Sequence, residues 1–228
     1  MSRFPEGINN LAVIRHGEDS WEDREGWAGL SVRGEEQIKK TAHLLMKAMQ
    51  LYNAKNDQVA IFASETKRAY RSGQIIADEF TKSDDKIVSG KIVFLREMYD
   101  NEMFNINKII EKIGKIVISR QVEYPNLNTA IVIGHVDTAY MLTSRMGRKR
   151  GLYDKQFDMN PLQGNGLFLH GDDDNEHGLS YAHINSTKDD VVDFDTWIKE
   201  TNLESLDADT KLDLGMISYD EYKVLKDQ

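Results

Sequence analysis

At 228 residues the chain suits one domain, or one domain with an appendage, and no apolar run approaches the ~18–20 residues that span a bilayer. With no cysteine it offers no disulfide, thiolate nucleophile or cysteine-ligated zinc, and "MSRFPEGINN" lacks the apolar stretch of a secretory signal, so the cytoplasm is the expected compartment. A formal net charge of −9 argues against nucleic acid or an anionic membrane as a partner.

Leu11–Ile14 is a short apolar run closed by Arg15, His16 and Gly17, the pattern of a buried parallel strand. Ser31 can N-cap a helix running to about Met49, with Ile38, Ala42, Leu45 and Met49 at three- and four-residue steps. "QVAIFAS" (58–64) reads as a second strand. A helix over Thr66–Phe80 follows, with Ala69, Gly73, Ile76 and Phe80 on one face. "KIVFL" (91–95) is a third strand, and Asn105–Val117 a helix built on isoleucines. "TAIVIGH" (129–135) is the most apolar strand, with a helix expected around Thr138–Met146. "GLFLH" (166–170) and "LSYAHI" (179–184) flank the loop "GDDDNEHG" and are expected to pair as a hairpin, the loop being an acidic turn rather than a metal site.

Strands alternating with helices imply an α/β fold with a mainly parallel sheet, and ligands of such sheets sit beyond the carboxyl ends of the strands. Arg15 and His16 end the first strand, Ser64 the second and His135 the fourth, while Glu97 follows the third. Segments distant in the chain can therefore meet in one crevice.

Taken singly, each of these residues has an ordinary explanation. A histidine at a strand end is usually structural, and an arginine on a helix is usually solvated. Arg15 changes the reading of His16, because a cation beside a buried strand needs an anionic partner. Gly17 permits a tight turn and close backbone approach. His16 then qualifies as a general base or a covalent nucleophile. Arg68 lies on the first turn of a helix, where free N–H groups and the dipole already favour anions and a guanidinium adds a planar fork for phosphate oxygens. No His-x-x-x-His or Glu-x-x-His spacing accompanies His135, which argues against a metal there. Glu97 is the first candidate general acid and Asp137 the second. Two arginines, two histidines and a carboxylate suit a tetrahedral dianion and need no metal.

Five blocks occur in order: Arg15-His16-Gly17-Glu18, "GLSVRGEEQ" (29–37), "FASETKRAYRS" (62–72), "FLRE" (94–97) and "IGH" (133–135). Over roughly residues 11–169 their order and spacing resemble the histidine phosphatase superfamily, the phosphoglycerate-mutase-like clan. The resemblance implies that His16 accepts the phosphoryl group as a phosphohistidine. It implies that Arg15, Arg68 and His135 grip the phosphoryl oxygens and that Gly17 orients the His16 ring. Glu97 would protonate the leaving alcohol and then deprotonate the hydrolytic water. The resemblance also implies a three-layer α/β/α sandwich.

Departures from the family's patterns narrow the reading. Mutases of the clan carry an asparagine after the tryptophan and an arginine after the acid glutamate, where this chain has Glu22 and Met98. Their long cationic insertion is missing here. His135-Val136-Asp137 replaces the His-Asp of the secreted acid phosphatases. The expectation is therefore a metal-independent phosphatase without cofactor, acting on a small phosphorylated substrate. Gly17, Glu22 and Ser64 form its substrate-binding set, with specificity in the loops around Glu22 and Met98–Phe104. A phosphoglycerate-mutase-type phosphotransferase and a non-catalytic phosphate- or phosphopeptide-binding module are the alternatives. Residues 1–184 form the expected catalytic domain. Residues 185–228 form an acidic extension, with 12 Asp and Glu against five Lys, expected to wrap the core, cover the site or mediate a homodimer.

Overall fold

The computed structural model describes residues 5–20, 29–54, 56–83, 88–98, 106–135, 142, 164–171, 179–186, 188–193 and 223–225. In chain order these form β1 (Asn10–Arg15), α1 (Val32–Leu51), β2 (Gln58–Ala63), α2 (Lys67–Lys82), β3 (Val93–Phe94), α3 (Ile106–Gln121), β4 (Leu127–Gly134), β5 (Gly166–Gly171), β6 (Leu179–Asn185) and β7 (Asp190–Asp193). One sheet contains all seven strands in the order β3-β2-β4-β1-β5-β6-β7. The β3-β2-β4-β1 half is parallel, and β5, β6 and β7 add antiparallel strands beyond β1.

Helices cover both faces of the sheet, which is why its central strands are apolar at nearly every position. Leu11 and Val13 of β1, Phe62 of β2 and Val132 of β4 point to the face packed by Ile109, Ile113 and Val117 of α3. Their neighbours Ala12, Ile14, Ile61 and Ile133 point the other way, onto Ile38, Leu45 and Met49 of α1 and Ile76 and Phe80 of α2. The result is a three-layer α/β/α sandwich around a mixed sheet with a parallel core.

Local signals set the helix starts. The Ser31 side chain accepts from the Gly34 amide and opens α1; Thr66 accepts from the Ala69 amide and opens α2. Such caps contribute roughly 1 kcal/mol each. The third strand is shorter than the run Lys91–Leu95 predicts; just before it, Arg120 of α3 donates to the carbonyls of Ser89 and Lys91 at 2.5 and 2.7 Å. Val93 and Phe94 are the strand residues in register with β2, and the Leu95 amide extends the contact to the Ala63 carbonyl at 2.9 Å. α3 runs one turn beyond Val117, where the Gln121 amide ties the Gly7 and Leu127 carbonyls. Of the helix expected over 138–146, Leu142 alone is described, and it is buried in the α3-side core. β5 and β6 form the predicted hairpin; its acidic loop lies outside the described residues. The sheet continues past Ile184, and β7 pairs with β6 from Ala182↔Asp193 to Asn185↔Asp190.

The loop after β1 is clamped backbone to backbone against α1. A Cβ on Gly17 would press into the Gly34 carbonyl, and one on Gly34 into the Glu18 carbonyl. The Glu18 amide donates to Gln37 Oε1 at 2.9 Å, and the Ser31 amide donates to the Glu18 carbonyl at 2.8 Å. From the other side Gly164, at φ +80°, directs its amide to the Arg15 and His16 carbonyls, and Thr41 of α1 donates to the Gly164 carbonyl.

Gly34→Ala is expected to cost roughly 1–3 kcal/mol, the range for overpacking a tight contact. Gly29→Ala, with no atom within 4 Å of the added methyl, is expected to stay within about 0.5 kcal/mol of the parent, as surface changes usually do. Urea midpoints of the two variants check this; equal stability would contradict the clamp.

Candidate active site

The three central parallel strands end level with one another. Pairing brings Arg15 of β1 beside Gly134 of β4 and Ala63 of β2 beside Ile133. The next residue on each strand is therefore His16, His135 and Ser64. The His16 amide donates to the Gly134 carbonyl and the Ser64 amide to the Ile133 carbonyl, both at 3.0 Å, extending the ladder past the strand ends. The two imidazoles meet edge to face with centroids 5.1 Å apart.

His16 is 4% exposed. Its Nδ1 lies 2.7 Å from its neighbour's carbonyl, Gly17 O, and its Nε2 lies 3.0 Å from Arg68 Nε. A guanidinium nitrogen only donates, so Nε2 is the acceptor and carries the lone pair, while Nδ1–H donates to Gly17 O. Burial lowers the His16 pKa from 6.5 to about 3; the Gly17 hydrogen bond opposes this, and His135, Arg68 and Arg15 reinforce it. At neutral pH the ring is uncharged and has a fixed tautomer, the state in which Nε2 is nucleophilic.

Arg68 reaches His16 from the first turn of α2. Its terminal nitrogen also lies 3.7 Å from the Asp19 carboxylate, beyond a hydrogen bond but within an ion pair. Ser72, one turn along α2, accepts from the Gly17 amide at 3.3 Å and donates to the Arg68 carbonyl at 2.8 Å. Arg15 is half-buried, and its Nε atom is buried with no hydrogen bond although the residue has other interactions. Ser64 Oγ is buried and lies 3.0 Å from His135 Nε2.

The structure thus brings His16, Arg15, Arg68, His135, Ser64 and Gly17 together. The backbone of Glu97 lies in a single 3₁₀ turn, Arg96–Met98, directly after β3; its side chain lies outside the description, as do Glu22 and Asp137. Asp19, Gly34, Gln37 and Ser72 are supporting residues that sequence reasoning did not single out. Among the described residues no group of three or more His, Asp or Glu is placed to hold a metal ion, and no helix is long and apolar enough to cross a membrane. A cavity of about 530 Å³ lies apart from His16, between α2 and the β3 edge, lined by Tyr70, Gln74, Ile92 and Phe94.

Unfolded, a histidine takes its proton near pH 6.5; in the fold His16 takes it near pH 3. Between those values the unfolded chain binds the extra proton, so acidification through this window destabilises the fold. His16→Asn is therefore expected to lose less stability than the parent between about pH 7 and pH 4, in denaturant titrations at both values. Parallel losses in the two proteins would contradict a buried neutral ring.

No family model and no curated protein matches the sequence. Solved structures do match. A candidate phosphohistidine phosphatase SixA from Agrobacterium tumefaciens aligns at 16% identity and TM-score 0.52, over 82% of this chain and 97% of that one. The protein histidine phosphatase SixA complexed with tungstate aligns at 10% identity and TM-score 0.50, over 78% and 98%. Phosphoglycerate mutase from Plasmodium falciparum aligns at 17% identity and TM-score 0.44, over 82% and 100%. With its parallel core sheet and flanking helices, the chain shares the fold of these two SixA structures.

Proposed function

We propose that the protein is a phosphatase that hydrolyses phosphomonoesters through a phosphohistidine on His16, without a metal ion. The observation that carries this reading is the state of His16: neutral, tethered at Nδ1 to Gly17, with Nε2 facing a guanidinium. A base that only abstracted protons would work best with a pKa near neutrality. A pKa near 3 suits a nucleophile that must stay unprotonated among cations.

In the first half-reaction the His16 Nε2 lone pair attacks phosphorus as the ester oxygen departs. Arg68 turns its Nε–H from the ring to the incoming phosphoryl group, which uncovers the lone pair. Arg15, Arg68 and His135 stabilise the charge spread over the three equatorial oxygens. Glu97 gives its proton to the leaving alcohol. In the second half-reaction the Glu97 carboxylate takes a proton from water, the hydroxide oxygen bonds to phosphorus, and the N–P bond breaks to release orthophosphate and neutral His16. The dianion also offsets the mutual repulsion of the clustered cations, so binding and charge relief reinforce each other. A structural neighbour, the protein histidine phosphatase SixA, is complexed with tungstate, a tetrahedral oxyanion like phosphate, which is in keeping with this reading.

With chelator present, the wild type is expected to hydrolyse an activated aryl phosphate and His16→Ala to be inactive; phosphate binding without turnover by either would favour the binding module. Glu97→Ala should lose about 10²–10⁴-fold on alkyl phosphates, the usual contribution of a general acid, and much less on aryl phosphates, which leave unaided. Equal losses on both would move the acid role elsewhere, Asp137 first. Vanadate, mimicking the five-coordinate phosphoryl group, is expected to inhibit; full activity in excess vanadate would contradict the mechanism.

A further inference from the structure

The Ser64 hydroxyl is fully buried and sits among three partners: His135 Nε2 at 3.0 Å, Thr66 Oγ1 at 3.2 Å and the Thr66 amide at 3.3 Å. Thr66 Oγ1 in turn accepts from the Ala69 amide and caps α2, the helix that carries Arg68. Two hydroxyl protons must be placed within this cluster. If His135 donated from Nε2 to Ser64, the Ser64 proton would go to Thr66, and the Thr66 hydroxyl proton would have no acceptor in the cluster. If Thr66 donates to Ser64, and Ser64 to His135 Nε2, both protons are used. The two lone pairs of Ser64 Oγ are then filled by the Thr66 amide and hydroxyl. Buried polar groups strongly prefer the arrangement that leaves none unsatisfied.

We propose that Ser64 is a positioning residue that donates to His135 Nε2 and so holds the second histidine in its Nδ1–H tautomer, in a fixed orientation against His16. The buried serine thus acts through His135 rather than on the substrate, and through Thr66 it ties that histidine to the helix end presenting Arg68. One Ser-x-Thr element sets both the imidazole and the guanidinium around the same crevice. The kinetic consequence rests on the phosphatase reading; the tautomer does not.

Two measurements test this. In a two-bond ¹H–¹⁵N correlation spectrum, with His135 assigned by its loss in His135→Ala, the wild type is expected to show the Nδ1–H form and Ser64→Ala a shift toward Nε2–H. An Nε2–H ring in the wild type would overturn the proposal. On an aryl phosphate, Ser64→Ala is expected to lower kcat/KM about tenfold, the lower end of what losing the partner of an oriented histidine costs at metal sites. Within His135→Ala the same change is expected to cost less than roughly twofold, because the two residues act as one unit. Ser64→Thr, which keeps the hydroxyl, is expected to retain most of the activity. Equal losses from Ser64→Ala in both backgrounds would overturn the proposal. A wild type that turns over no ester would instead defeat the phosphatase reading, and the tautomer would still decide the role of Ser64.

Discussion

An uncharged imidazole buried next to guanidinium groups is the constraint on which the site is organised. Burial and the nearby cations both oppose protonation of His16, and its one remaining N–H is spent on Gly17 O. The geometry follows from sheet architecture rather than from any single residue. Three parallel strands in register end at one level, so the residues that follow them become neighbours without a further structural device. An α/β sheet supplies that coincidence at its carboxyl edge, and helix α2 adds a cation from its first turn.

Keeping such a cluster in place is costly, because like charges repel and the ring is desolvated. The protein meets this by stiffening the backbone around it. Gly17 and Gly34 let the loop lie directly on α1, Gln37 and Ser72 satisfy amides that the turn leaves open, and Gly164 closes the far side. Partial electrostatic relief comes from Asp19 beside Arg68. The chain is acidic as a whole, with −7 of its −9 net charge after residue 184, so attraction of an anion has to come from this local cluster rather than from the overall field.

Much of this was legible in the sequence, and the parts that were not have physical reasons. β1, β2 and β4 are apolar on both faces because helices cover both, which makes them conspicuous as continuous runs. Ser31 and Thr66 announce helix starts through side chains that substitute for missing backbone partners. β3 is shorter than its apolar run suggests, and composition does not reveal that Arg120, some thirty residues away, takes the Lys91 carbonyl at the start of that run. β7 was missed because "DVVD" is short and half acidic, as an edge strand facing solvent can be. Within the site, the strand-end residues could be named from position. Gln37, Ser72 and the tautomer-setting contact of Ser64 could not, since each depends on which helix face meets which loop backbone.

The most direct test of the account is to quench the protein rapidly during turnover of an aryl phosphate and map the modified residue by mass spectrometry under alkaline conditions. The account predicts a phosphoryl group on His16 that is lost in acid, survives base and is stabilised by Glu97→Ala when an aryl phosphate forms it. Turnover with no phosphoryl-enzyme, or with the group on another side chain, would contradict it.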